Sequence, residues 1–220
     1  MDKKFEDILK TERYKKITNH GYITNGPKKY AIHYNVYLNI YRGIFDQLLK
    51  KNIINNNARI LDFGCGPAFS VYVGTKEFNL DMRGIDIGKG YGLRPPGNEC
   101  QDFIYPDIHN ILDIESKIDF YNGKQISIYD DNQYDLILCM WSLLFDYSNE
   151  EVTKSKTNGI VNDTNTENNK QIVVNKFKNL LRISKPNAVW VVSPAKFWTT
   201  DIANLFSIYN DKNICVKLYK

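Results

Sequence analysis

Two acids and two glycines in the first half of the chain have the types and the spacing to do chemistry together. Gly64 and Gly66 stand one residue apart in Asp62-Phe-Gly-Cys-Gly-Pro-Ala68, directly after a short apolar run. Glycine at such a place lets the backbone turn sharply and approach a ligand with no side chain between. A helix beginning just beyond adds oriented N–H groups to the same space. Asp62 precedes the first glycine by two residues, where a carboxylate repels a pyrophosphate and favours a ligand carrying positive charge. Asp86 follows the first glycine at about the spacing from which a carboxylate reaches both hydroxyls of a ribose. The dinucleotide fingerprint would need a third glycine at position 69, which is Phe69, and no Gly-Lys-Ser/Thr follows to make a P-loop. The set points to a nucleoside that bears positive charge.

These residues need a strand, a turn, a helix and a second strand to hold them. Residues 59–63 read as a short buried strand, 69–79 as a helix and 82–87 as a second strand. The two strands must run parallel, because a helix crosses between them. Upstream, apolar and aromatic residues recur at helical spacing from Tyr30 to Leu49, and Tyr30, His33, Tyr34 and Tyr37 cluster on that helix. Residues 88–98 are rich in glycine and proline and read as a loop. Residues 103–111 form a weak third strand, and Asn122-Gly123 signals a hairpin whose returning strand is 125–129. Residues 134–141 and 188–193 are strong buried strands, with a helix at 171–183 stopped by Lys185-Pro186. A short helix near 200–205 and one strand or a tight hairpin complete the chain. The architecture expected is α/β: a three-layer sandwich around a mostly parallel sheet. Residues 1–51 would be a helical N-terminal extension or lid, and 52–220 the ligand-binding domain. The polar, Asn- and Thr-rich residues 148–170 would be a mobile insertion.

Composition narrows the class further. With 43% hydrophobic and 25% charged residues among 220, the chain can bury a sizeable core. The four cysteines and three histidines are scattered, with no C-x-x-C pair, so no zinc site is expected and the thiols read as reduced. No apolar run approaches the ~20 residues of a membrane helix, so a soluble, cytoplasmic protein is expected. Residues 1–60 carry twelve Lys or Arg against five Asp or Glu, an excess that could serve nucleic acid or simply be solvated.

Four stretches in order carry a family resemblance. Ile60-Leu-Asp-Phe-Gly-Cys-Gly-Pro67, Gly84-Ile-Asp-Ile87, Tyr134-Asp-Leu-Ile137 and Leu181-Arg-Ile-Ser-Lys-Pro-Asn187 together resemble the Rossmann-like, class I methyltransferases that use S-adenosylmethionine. The resemblance implies a methyltransferase with S-adenosyl-L-methionine as its cofactor. Asp62, Gly64 and Gly66 would flank the methionine part, Asp86 would hold the ribose, and Ile87 would lie against the adenine. The family's acid and apolar neighbour after the third strand are best matched by Asp107 and Ile108, with Asp113 and Asp130 as alternatives for the acid. Cys139 and Met140 would border the sulfonium and the acceptor. Ala68 replaces a third glycine of the family, Asn187-Ala188 a Gly-Gly pair, and the tail looks short for the family's final antiparallel strands.

Acceptor chemistry is less legible, because an activated methyl group needs alignment more than it needs a base. The fourth strand runs into Cys139-Met-Trp-Ser142, not the Asn/Asp-Pro-Pro-Tyr/Phe turn of amino-methylating nucleic-acid enzymes, and no Pro-Cys pair follows. That favours a small-molecule acceptor. An RNA- or cap-directed enzyme and a non-catalytic, methyltransferase-like binding subunit are the alternatives. His109 and Tyr34 are the candidate bases, and Trp141, Phe145 and Tyr147 candidate walls on the acceptor side.

Overall fold

A computed structural model describes residues 34–87, 101–121, 126, 128–140, 166–193 and 200–218. Among the described residues, six strands form one sheet in the order β3-β2-β1-β4-β5-β6, and every pairing is parallel. They are β1 (Arg59–Phe63), β2 (Asp81–Ile87), β3 (Ile118–Tyr121), β4 (Tyr134–Met140), β5 (Ser184–Ser193) and β6 (Cys215–Leu218). The helices are α1 (Tyr34–Lys50), α2 (Phe69–Tyr72), α3 (Gln101–Ile111), α4 (Thr166–Ile183) and α5 (Thr200–Tyr209). A π turn, Val73–Glu77, continues α2, so the predicted helix at 69–79 forms in two parts.

Strand alternation sends side chains to two separate cores. On one face, Ile60, Met82, Leu136, Leu138 and Val191 meet Leu38, Phe45 and Leu48 of α1, Val71 of α2 and Ile108 of α3. On the other, Leu61, Phe63, Ile85, Ile137, Trp190 and Val192 meet Phe177, Leu180 and Leu181 of α4, with Phe206 of α5 against them. Burying a side chain such as Phe45, which has no exposed surface, contributes about 2 kcal/mol. The three-layer α/β sandwich is therefore present, with all six strands parallel. α1 ends with Lys50 in its last turn, a cation at the negative end of the helix dipole.

Three expectations change. Residues 103–111 belong to helix α3, not a strand, because Tyr105, Ile108, His109 and Leu112 are buried at helical spacing. The third strand is instead Ile118–Tyr121, and 128–130 are turn and coil, so no returning strand pairs with β3 among the described residues. The tail takes one of its two expected forms, a single strand, which pairs parallel to β5 after α5, with no antiparallel pair among the described residues. Residues 166–170, expected in the insertion, are the first part of α4; the rest of the insertion lies outside the described residues, as do residues 88–98. Pro186 and Asn187 occupy a register shift between β4 and β5, where a residue without an N–H donor leaves no ladder bond unmade. No helix among the described residues is long and apolar enough to cross a membrane.

Candidate functional site at the ends of the first two strands

The carboxyl end of β1 passes straight into the glycine turn. Gly64 has φ 74°, Gly66 φ 51° and Ala68 φ 57°, all left-handed, so three alternate residues reverse the chain within five positions. The amides of Gly64 and Cys65 both donate to the Ile85 carbonyl, at 2.8 and 3.1 Å, which ties the turn to β2. Ala68 takes this conformation with a Cβ, at a cost of about 1 kcal/mol that a glycine would avoid.

Asp62 lies opposite Gly84 on β2 and Leu138 on β4 and is 1% exposed. The Ser70 hydroxyl, in the first turn of α2, donates to its Oδ2. Its Oδ1 is buried with no hydrogen-bond partner among the described residues. Burial pushes this carboxyl from 3.8 up to about 7; the Ser70 hydrogen bond opposes the rise and the Asp86 charge adds to it. Asp86, near the end of β2, is also buried, and the Gly66 amide donates to its Oδ2 at 2.5 Å. Two acids therefore converge on one turn, in an apolar surrounding where their charge is poorly screened.

Gly84 keeps the turn close to the sheet. A Cβ there would lie 2.7 Å from Cys65 Sγ and 2.9 Å from Ile118 Cδ1. Cys65 itself is buried, and desolvation raises its thiol well above the ordinary range, so it is a packing residue.

α1 and α3 cover the turn from the same side of the sheet. Tyr34 meets Phe69 edge-on at 5.5 Å between ring centroids, and Tyr37 stacks on it at 5.8 Å and 25°. From α3, His109 Nε2 bonds the Gly66 carbonyl at 2.8 Å, and the ring is 2% exposed. Burial lowers its pKa below 6.5, against a smaller opposite effect of that carbonyl.

The structure thus brings Asp62, Gly64, Gly66, Asp86, Tyr34 and His109 to one end of the sheet. Ile87 ends β2 beside Tyr121 of β3. Asp107 sits on helix α3 rather than after a strand, and Ile108 on the same helix is 2% exposed in the core. Cys139 points to the opposite face of the sheet, among Ile137, Trp190 and Val192, whereas Met140 faces the Asp62 side. Tyr30, His33, Trp141, Phe145 and Tyr147 lie outside the described residues. Sequence reasoning misses Ser70 and Tyr105. The available signal for Ser70 is a lone hydroxyl in the first turn of an otherwise apolar helix, facing back toward an acid.

No family model matches the chain, and no curated protein matches it. Among solved structures, it is similar to a Methanococcus maripaludis protein assigned as an S-adenosyl-L-methionine-dependent methyltransferase. That match has 16% identity, covers 82% of this chain and 68% of that one, and has a TM-score of 0.46. A SAM-dependent methyltransferase from Aquifex aeolicus matches at 14% identity over 76% of this chain and 77% of that one, TM-score 0.44. The cyclase SpnF matches at 17% identity over 66% of this chain, TM-score 0.37; the chain spans only 41% of its length. These likenesses are of fold, and function has to be argued from the site. Strand order, parallel pairing and helical layers on both faces make this a Rossmann-like three-layer α/β fold.

Proposed function

We propose that the chain binds S-adenosylmethionine at the carboxyl ends of β1 and β2 and transfers its methyl group to a small-molecule acceptor. The observation that carries this reading is Asp62: a buried carboxylate beside a glycine turn, with one oxygen bonded to Ser70 and the other unpartnered among the described residues. An orphaned buried carboxylate oxygen is costly unless a ligand completes it. A cationic group completes it and a phosphate does not. The residues therefore fit the cofactor: Asp62, Gly64 and Gly66 would hold its methionine end, and Asp86 its ribose. When bound, the sulfonium supplies an activated methyl group. The chain's own part is to orient that group and exclude water. Tyr34, edge-on to Phe69, and Tyr37, stacked on it, make α1 a cover over this end, which supports a lid role for residues 1–51. The motif resemblance supports the same reading, and the missing amine-gripping turn after β4 favours a small acceptor over nucleic acid.

The test is calorimetric titration with S-adenosylmethionine, S-adenosylhomocysteine and NAD. The first two bind and NAD does not; NAD binding, or no binding of the first two, overturns the reading. With methyl-labelled cofactor, label should enter a small-metabolite pool and not RNA. Transfer to RNA would keep the cofactor and replace the acceptor class.

A further inference from the structure

The Gly66 peptide is held from both sides. Its N–H donates to Asp86 Oδ2 at 2.5 Å, and its carbonyl accepts from His109 Nε2 at 2.8 Å. A carbonyl oxygen can only accept, so Nε2 carries the hydrogen. That nitrogen is thereby committed to the peptide, and the ring is too deeply buried to meet an acceptor substrate from solvent. The ring is fixed in turn by its own helix. Tyr105, one turn earlier, stacks on it at 6.5 Å and 26° and lies 3.5 Å from where a Cβ on Gly66 would stand. The backbone carbonyl of His109 accepts from Ile114 at 3.0 Å, which closes the end of α3.

Gly66 needs such a hold. Glycine visits left-handed and right-handed backbone with similar ease, so its own residue type does not enforce φ 51°. A hydrogen bond to the carbonyl also polarises the amide and strengthens its N–H as a donor. We propose that His109 is a positioning residue, which acts through the Gly66 peptide to hold the Asp86 carboxylate in place for the nucleoside part of the ligand. The ligand half of this statement rests on the cofactor reading above; the clamp on Gly66 does not.

Two variants separate the possibilities. His109→Gln can set an amide N–H near the same point, whereas His109→Leu fills similar space without a donor. In the unliganded protein, hydrogen exchange of the Gly66 amide is followed by NMR beside the buried strand amides of Leu61 and Ile137. Affinities for S-adenosylhomocysteine and for adenosine are measured by calorimetry. The Leu variant should speed Gly66 exchange roughly tenfold relative to the strand amides, and weaken both ligands roughly tenfold. The Gln variant should return both readouts to within about threefold of wild type. If Gly66 and the strand amides accelerate together, or if Gln and Leu behave alike, His109 is only a packing residue and the proposal is overturned. If the wild type binds neither ligand, the cofactor reading fails by itself, and Gly66 exchange still decides the clamp.

Discussion

Replacing Asp62 by asparagine should stabilise the unliganded protein at high pH while it weakens cofactor binding. The folded-state pKa of Asp62 is raised from 3.8 to about 7, with desolvation the leading cause. A raised acid is held neutral by the fold, so folding is favoured below the unfolded pKa, and that advantage is lost as pH rises through the folded one. Above pH 7 the full difference between the two values acts against folding, a cost of about 4 kcal/mol. At pH 5 only about 2 kcal/mol of it acts. The substituted amide carries no charge at either pH, but its NH2 group inherits a site with no acceptor, which costs about 1–3 kcal/mol. Asp62→Asn should therefore be near neutral at pH 5 and about 2 kcal/mol more stable than wild type at pH 8. With a urea m-value of about 2 kcal/mol/M, the variant's midpoint should lie about 1 M higher at pH 8. The same protein should bind S-adenosylmethionine at least tenfold more weakly, because a charge-assisted bond is gone. A stability difference identical at pH 5 and pH 8 would refute the argument, since it would mean that Asp62 is ionised throughout. A site that is destabilising when empty is the expected signature of a binding function.

Asp86→Ala should weaken adenosine and S-adenosylhomocysteine binding tenfold or more in a calorimetric titration, because it removes both the ribose acceptor and the anchor of the Gly66 amide. Gly84→Ala should destabilise the fold by about 1–3 kcal/mol in urea, since its Cβ would meet Cys65 Sγ at 2.7 Å; adding Cys65→Ala should recover part of that loss, and a purely additive double variant would exclude this contact as the cause. His109 works in the direction opposite to Asp62: its pKa is lowered by burial, so its stability is complete above about 6.5 and is lost as pH falls toward the folded value. His109→Gln should lack that acid-side loss when urea midpoints at pH 7 and pH 5.5 are compared with wild type. In native protein, mass-mapped alkylation should modify exposed Cys215 well before buried Cys65 and Cys139, whose thiols desolvation holds in the protonated form.

What can be read from the sequence follows from where each element lies in the sheet. β1, β4 and β5 are covered on both faces and so carry apolar stretches (Ile60-Leu61, Leu136 to Met140, Ala188 to Val192) rather than strict alternation, and the turn after β1 needs left-handed backbone that glycine advertises. β3 is four residues at the edge; Asp119 is used by Arg83 at 2.9 Å and Phe120 is 48% exposed, so no apolar run announces it. α3 is the instructive exception. Residues 103–111, with Phe103-Ile-Tyr105 at their start and Pro106 among them, read as a weak strand, and the helical period is complete only when His109 is counted with Tyr105, Ile108 and Leu112 as buried. A histidine is normally scored as polar, so the pattern loses the member that touches the site. That residue is buried because its Nε2–H has a partner 43 positions away. The same bond that hides α3 from pattern reading thus joins α3 to the glycine turn. The acids and glycines are legible because each acts through its own strand or turn. His109 is legible only as a candidate base; the positioning role proposed for it arises only after the chain has folded around Gly66.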